Sequence, residues 1–231
     1  MTRGALAVES GSPRAARAIG IGLAALAAYG LLTFLGTLSH QPDYQTHFRD
    51  YAEYVTTTAF LLSHLVASIV GTTLGILGVI ALSALLARAA PRLALAGLVL
   101  SVVGLAFILT VIGAAAYAQP AIGDAYLAGQ EAAAERINDG VYGTATFAIA
   151  LPGVLAYSLG AILLGIAIWR APSLPPWAGV LYGASAPLIA IFGLAIGIAQ
   201  TFGAALLVVA VAWIAWSLLR SGSAGQAPSA A

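Results

Sequence analysis

The chain contains five apolar stretches, each at least as long as the roughly 20 residues that a helix needs to cross a bilayer. They lie at about 18–38, 59–87, 93–118, 141–169 and 176–219. Only 7% of the residues are charged and 61% are hydrophobic, whereas about 25% of the residues of a soluble domain are charged. Because so few polar side chains cannot cover a water-exposed surface, the sequence predicts an integral membrane protein.

The last apolar stretch is about twice as long as one membrane span requires. Gln200-Thr201 and the nearby Gly203 interrupt it close to its middle. We therefore divide it into two helices, at about 177–198 and 202–219. The sequence thus predicts an all-α polytopic fold with six transmembrane helices.

The two ends of the chain lie outside this predicted transmembrane domain, which spans residues 18–220. The segment 1–17 precedes the first span, which is longer than the 7–15 apolar residues of a signal peptide and is therefore predicted to be a retained helix. The tail 221–231 consists of small and polar residues, a composition typical of disorder. Both segments are predicted to be cytoplasmic.

The distribution of charge along the chain predicts this orientation. With six helices, seven of the nine arginines fall on the side of the termini, and an excess of arginine marks the cytoplasmic face. These arginines are Arg3, Arg14, Arg17, Arg88, Arg92, Arg170 and Arg220. Seven of the eight acidic residues fall on the opposite side: Asp43, Asp50, Glu53, Asp124, Glu131, Glu135 and Asp139.

The six predicted helices also divide into three hairpins, at about 18–88, 93–170 and 177–220. Each hairpin ends in an apolar run closed by an arginine, and each outer turn carries a glutamine (Gln41, Gln119 or Gln200). An internal repeat would place a binding site at the interface between its units. The alternative is that segments rich in Leu, Ala and Gly resemble one another through composition alone.

Two outer connections, at about 42–57 and 123–138, are predicted to form short amphipathic helices. One face of the first helix carries polar groups and the opposite face carries aromatic rings. The polar face consists of Asp43, His47, Asp50 and Tyr54, and the aromatic face consists of Tyr44, Phe48 and Tyr51. The second helix carries Glu131 and Glu135 four residues apart.

Imidazole and carboxylate groups four residues apart on a helix can share a divalent metal ion. One hypothesis is therefore a metal site in which His47 pairs with Asp43 or Asp50. His40, Glu131 or Glu135 would complete such a site across the outer side. The alternatives are a solvated helix whose aromatic rings lie in the membrane interface, or a surface that contacts a protein partner.

His64 is the one ionisable side chain other than tyrosine deep within a predicted span. Helical spacing puts Ser68 and Thr72 on the same face, together with Gly71 and Gly75, so that this polar stripe is expected to face the bundle. His64 could be an axial haem ligand, a proton-handling group or a hydrogen-bonded packing residue. A haem held by two histidines would need a second histidine within the membrane, and a proton relay would need further ionisable groups.

Several functional classes find no support in the composition. The chain has no cysteine and no lysine, which excludes disulfides, thiolate metal sites, Schiff bases and a phosphate-loop lysine. The net charge of +1, without a basic run, argues against nucleic acid as a partner. Motifs typical of serine hydrolases and zinc peptidases are also missing.

Two Ala- and Gly-rich helices are connected by the segment with which the chain returns into the membrane, Arg170-Ala-Pro-Ser-Leu-Pro-Pro-Trp-Ala-Gly179. In these features the chain resembles uncharacterised six-helix integral membrane proteins of high-GC bacteria. The resemblance covers most of the chain and implies a multi-pass protein of the bacterial inner membrane. It implies no activity or cofactor.

The first functional prediction is a non-enzymatic inner-membrane protein with a structural, partner-binding or sensory role. One alternative is a small transporter or channel for a hydrophobic or neutral solute. Another is a membrane enzyme that uses a divalent metal or haem at the outer-side histidines. The expected surroundings are the lipid bilayer and a membrane-protein partner or second copy, which would pack on small-residue faces such as Gly71-xxx-Gly75 and Gly193-xxx-Gly197.

Overall fold

A computed structural model of the chain describes residues 13–38, 41–193 and 196–224, and the regular structure in these ranges is entirely helical. We number the helices in chain order as α1 (Pro13–Gly36), α2 (Phe48–Val55), α3 (Thr58–Leu86), α4 (Pro91–Leu127), α5 (Glu131–Val141), α6 (Thr144–Arg170), α7 (Pro176–Phe192) and α8 (Gly197–Ala224).

Five of these helices, α1, α3, α4, α6 and α8, are long and apolar enough to cross a membrane. Their most apolar windows have mean hydropathies between 2.0 and 2.7. The sixth apolar helix, α7, is shorter, with 17 residues. The fold is therefore compatible with a multi-pass integral membrane protein.

The six apolar helices form a closed ring in chain order, in which each helix packs against the next and α8 packs against α1. Neighbours run antiparallel. At one end of the α1–α3 pair, a side chain on Gly22 would meet Ala81, and at the other end a Cβ on Gly36 would lie 3.5 Å from Ala67 Cβ. Because neighbouring helices alternate in direction around the ring, the connections between them fall at two ends. These two ends of the molecule differ in their charged residues.

We call these the basic end and the acidic end. The basic end contains the connection between α3 and α4, the connection between α6 and α7, and the arginines Arg14, Arg17, Arg88, Arg92, Arg170 and Arg220. The acidic end contains α2, α5 and the acidic residues Asp43, Asp50, Glu53, Asp124, Glu131, Glu135 and Asp139.

Glycines allow the closest approach between neighbouring helices. A Cβ on Gly104 of α4 would lie 2.7 Å from both the Gly153 carbonyl oxygen and Tyr157 Cα of α6. On α3, a Cβ at Gly75 would lie 2.9 Å from the ring of Tyr29. Because real Cβ atoms do not approach other atoms this closely, a side chain at Gly104 requires the helices to separate, and a side chain at Gly75 requires the Tyr29 ring to shift.

The helix boundaries differ from the sequence prediction at the acidic end. Helix α4 continues through Gln119 and Pro120, although the sequence predicted a turn there. It ends before Gly129, whose φ of +86° is typical of a glycine that follows a helix. This extension explains why the following helix is α5, Glu131–Val141, rather than the predicted 123–138.

Three other boundaries also differ. Helix α8 begins at Gly197, so Gln200 and Thr201 belong to α8. Residues 194 and 195 of the Gly193-xxx-Gly197 pattern lie outside the described residues. Helix α2 begins at Phe48 because Asp43 Oδ1 accepts a hydrogen bond from the Gln45 backbone N–H, a local turn that competes with a helix. Helix α8 continues to Ala224, into the predicted tail; residues 225–231 and 1–12 lie outside the described residues.

Candidate functional site: a cavity at the acidic end

A cavity of about 1250 Å³ lies inside the acidic half of the ring, and all six apolar helices contribute to its wall. The basic half is filled instead by a continuous core that includes Leu82, Leu164, Ile168 and Ile214, none of which is exposed. Binding sites for small molecules are commonly clefts of about 300–1,000 Å³. The space is therefore large enough for a small molecule.

The wall of the cavity has a polar side and an apolar side. Neighbouring helices α8, α1 and α3 form the polar side, and α4, α6 and α7 form most of the apolar side. The polar side contains Thr33, Thr37, Ser63, His64, Ser68, Thr72, Gln200 and Thr201. The apolar side contains Ile108, Val111, Ile112, Ala150, Val154, Ile189 and Ala190. No Asp, Glu or Arg is found among the described residues of the wall.

Two stretches of π-helix border this space. One occupies Ser63–Val70 within α3, and the other occupies Leu188–Phe192 at the end of α7, directly after Pro187. A π-helix widens the turn of an α-helix, and such turns are frequent at functional sites. Proline removes a backbone hydrogen-bond donor and allows the helix to kink. Both irregularities lie beside the cavity.

His64 lies on the polar side, within the first π-helical stretch. Its Nδ1 lies 3.2 Å from the Phe60 carbonyl oxygen and 3.3 Å from Ser63 Oγ. Its ring stacks on the buried ring of Phe60, with the centroids 4.0 Å apart. The imidazole is thus fixed by its own helix, while Ser68 and Thr72 line the cavity beside it.

A second polar group in the wall joins the end of α1 to α8, and the sequence did not predict it. Thr201 Oγ1 donates a hydrogen bond to Thr37 Oγ1 over 2.9 Å, and Thr37 Oγ1 donates to the Phe34 carbonyl oxygen over 2.7 Å. Two threonines 164 positions apart carry no local signal of this contact. Only the positions of Gln200 and Thr201, which interrupt an apolar stretch, pointed to an unusual role.

Tyrosines form the floor of the cavity, where it meets the packed core. Tyr29 and Tyr157 are almost completely buried, and both line the cavity together with Thr33. The ring of Tyr29 lies against Gly75 of α3. This floor closes the cavity toward the basic end.

Helix α2 forms a cap beside the mouth of the cavity. It packs on the end of α4, where a Cβ on Gly123 would lie 2.8 Å from the Ala52 carbonyl oxygen, and the rings of Phe48 and Tyr126 are 4.8 Å apart. Because Tyr54 of α2 also lines the cavity, the cap borders the binding space directly.

Hydrogen bonds hold this cap to other segments of the acidic end. The Tyr51 hydroxyl of the cap donates to Asn138 Oδ1 of α5 over 3.2 Å. A second bond joins the segment that precedes α2 to α4, where Gln41 Nε2 donates to Gln119 Oε1 over 3.3 Å. Burial, reinforced by the neighbouring phenols of Tyr142 and Tyr44, raises the pKa of Tyr51 above its ordinary value. Burial likewise raises the pKa of Tyr142 to about 12. Tyr51 therefore stays protonated near neutral pH and keeps its bond to Asn138.

The residues of the metal-site hypothesis lie on the exposed surface of the acidic end. They are Asp43, His47, Asp50, Glu131 and Glu135. Asp43 precedes α2 and bonds to Gln45 and Thr46, and His47 Nδ1 lies 2.8 Å from Thr46 Oγ1. Within the described ranges, no three His, Asp or Glu side chains come together as a metal site. His40 lies outside those ranges, so the metal site stays a prediction.

Comparisons with protein-family models, curated proteins and solved structures found no match for this chain. Any functional inference therefore depends on the chemistry of the cavity itself. Its size, its two-sided wall and its uncharged lining are the features that bear on a ligand.

Proposed function

We propose that this protein binds an uncharged, amphiphilic small molecule in the cavity, as a small transporter for hydrophobic or neutral solutes. The observation that carries the proposal is the division of the wall into a polar side on α8, α1 and α3 and an apolar side on α4, α6 and α7. A molecule with one polar edge and one apolar edge satisfies both sides at once.

The absence of charge from the described wall argues for an uncharged ligand. A buried ion is stable only when it is paired or well hydrogen-bonded, because its removal from water is costly. The described wall residues would offer a buried anion or cation no side chain of opposite charge. A neutral molecule avoids this cost and still gains from burial of its apolar surface.

The cavity also favours transport over a purely structural or partner-binding role. In a purely structural protein we expect the ring to be packed along its whole length. Only the basic half is packed in this way. Here the acidic half is hollow, and two π-helical stretches and Pro187 border the hollow space. Irregular turns of this kind allow helices to bend, as opening of the site toward the opposite side would require.

The binding experiment uses two fluorescent probes that share a naphthalene core. The neutral probe is N-phenyl-1-naphthylamine, and the anionic probe is 1-anilinonaphthalene-8-sulfonate. With protein in lipid nanodiscs, and empty nanodiscs as the blank, we expect saturable binding of the neutral probe at about one per chain. The anionic probe should bind at least about tenfold more weakly, which corresponds to roughly 1.4 kcal/mol. Equal saturable binding of both probes would contradict an uncharged site.

The setting that we propose is the bacterial inner membrane, as expected from the resemblance, with six spans and the basic end in the cytoplasm. The arginine excess at that end supports this orientation. Helix α7, at 17 residues, is about 26 Å long, slightly shorter than a hydrocarbon core of about 30 Å. Trp169 and Trp177 lie in contact near its basic end, where indole rings favour the membrane interface.

Because the chain has no cysteine, single introduced cysteines report this orientation directly. Ala132→Cys lies on α5 at the acidic end, and Ala89→Cys lies between α3 and α4 at the basic end; both alanines are exposed. In spheroplasts of a bacterial host, a membrane-impermeant maleimide should label Ala132→Cys. It should label Ala89→Cys only after lysis. The opposite pattern would reverse the proposed orientation.

A further inference from the structure

The hydrogen bonds of His64 determine which of its ring nitrogens carries the hydrogen. A carbonyl oxygen can only accept, so the contact of Nδ1 with the Phe60 carbonyl requires hydrogen on Nδ1. Ser63 Oγ donates its own hydrogen to the same carbonyl over 2.8 Å, so toward His64 it too can only accept. In the neutral ring, Nε2 is therefore an acceptor with a free lone pair.

The neighbouring hydroxyl groups also present acceptors to the cavity, because their hydrogens are used elsewhere. Thr37 and Ser63 donate to backbone carbonyls of their own helices, and Thr201 donates to Thr37. Ser68 Oγ donates to the Ser63 carbonyl over a longer 3.4 Å. Each of these oxygens keeps lone pairs that a ligand can use.

Nε2 of His64 has no hydrogen-bond partner among the described side chains and backbone groups. The ring is half-buried in the wall of the cavity, and Nε2 is not among the buried polar atoms that lack a partner, so in the absence of a ligand it is open to water. A ligand that displaces this water satisfies Nε2 if it donates a hydrogen bond, whereas a ligand that offers only acceptors leaves Nε2 unpaired.

We propose that the ligand is a neutral hydroxylated amphiphile, an alcohol or a phenol, whose hydroxyl donates to His64 Nε2. Its apolar body lies along the apolar side of the wall, on α4, α6 and α7. This assignment rests on the proposed binding function and adds the chemical group that the site recognises. His64 is then a ligand-binding residue, and Ser63 and Phe60 are positioning residues that set its tautomer.

The tautomer can be measured without any ligand. The chain has three histidines, His40, His47 and His64, so ¹⁵N-histidine labelling gives a simple spectrum, and loss of one set of signals in His64→Gln assigns that residue. At neutral pH we expect Nδ1 to be protonated and Nε2 to be unprotonated. A proton on Nε2 in the neutral ring would overturn the assignment.

A matched pair of neutral ligands tests the recognition itself. At pH 7, 2-naphthol carries a hydroxyl donor, and 2-methoxynaphthalene has the same bicyclic body without the donor. Using protein in nanodiscs, we expect 2-naphthol to bind up to about tenfold more tightly. His64→Phe should remove this preference, and His64→Gln, which retains an acceptor oxygen, should restore part of it. His47→Phe, at an exposed position on α2's amino-terminal side, is the control that should retain it.

Each outcome separates this inference from the binding function on which it rests. If both ligands bind saturably with equal affinity, the hydroxyl assignment is overturned and the binding function stands. If neither binds saturably, and the neutral naphthylamine also fails, both are overturned. A preference for 2-naphthol that survives in His64→Phe would overturn the role of His64. The comparison in the unsubstituted protein decides the ligand class even if a variant fails to fold.

Discussion

Introducing a large side chain on each of two opposite sides of the cavity will strongly weaken binding of N-phenyl-1-naphthylamine. Ala67 of α3 and Ala150 of α6 both line the cavity, on its polar and apolar sides. In the double variant Ala67→Trp, Ala150→Trp, two indole rings project into the space that the probe needs. Because both indole rings occupy part of the space between the polar and apolar sides, affinity should fall by more than about tenfold. Fluorescence titration in nanodiscs measures the loss.

The matched control places two tryptophans on the outside of the same two helices. Ala59 of α3 and Ala148 of α6 are exposed, and Ala59→Trp with Ala148→Trp adds the same bulk without entering the cavity. This variant should bind the probe as the unsubstituted protein does. If the two double variants bind equally well, the probe occupies a site outside the cavity and the proposed function is wrong.

Replacing Gly104 with leucine should cause the largest loss of stability of any single change considered. The position lies where α4 meets α6, with the Gly153 carbonyl oxygen and Tyr157 Cα each 2.7 Å from an added Cβ. Both obstacles are backbone atoms, so no rotamer change relieves the clash and the helices must separate. Overpacking typically costs about 1–3 kcal/mol, and rigid backbone obstacles place this site at or above the upper value.

Gly113→Leu is the control for helix propensity and added apolar surface. Gly113 lies on the same helix, and a Cβ there would meet no atom within 4 Å. Thermal unfolding in detergent should show a strongly lowered midpoint for Gly104→Leu and an unchanged or slightly raised midpoint for Gly113→Leu. Similar midpoints for the two variants would show that α4 and α6 do not pack through Gly104.

The apolar helices were largely predictable because each depends on a local property. A run of about 20 apolar residues that satisfies its own backbone hydrogen bonds is stable in a membrane wherever its neighbours lie. The five long apolar helices follow from this property, and their bounds agree with the predicted stretches to within a few residues except at the ends of α1, α4 and α8. The chain around Pro120 was mispredicted because the apolar stretch ends at about 118 and an outer turn was placed at Gln119, whereas α4 continues to Leu127 and is held there by contacts at Gly123 and Gln119.

The candidate site was only partly predictable. Helical spacing alone placed Ser68 and Thr72 beside His64, because residues four apart share a helix face. The same reasoning included Asp43 and His47 in the helix that carries Asp50 and Tyr54, whereas the turn at Asp43 delays the start of α2 until Phe48. Thr37 and Thr201 are joined only in the folded ring, so no local pattern identified them.

The amino-acid sequence by itself determined that this chain is helical, apolar and suited to a membrane, and that basic and acidic residues separate along it. These properties depend on composition and on spacing within single helices. The tertiary structure decided that six helices close into a ring, that glycines bring α4 against α6, and that one half stays hollow with a polar and an apolar side. A cavity exists only between helices, because its shape depends on which faces meet and on how far the packing leaves them apart.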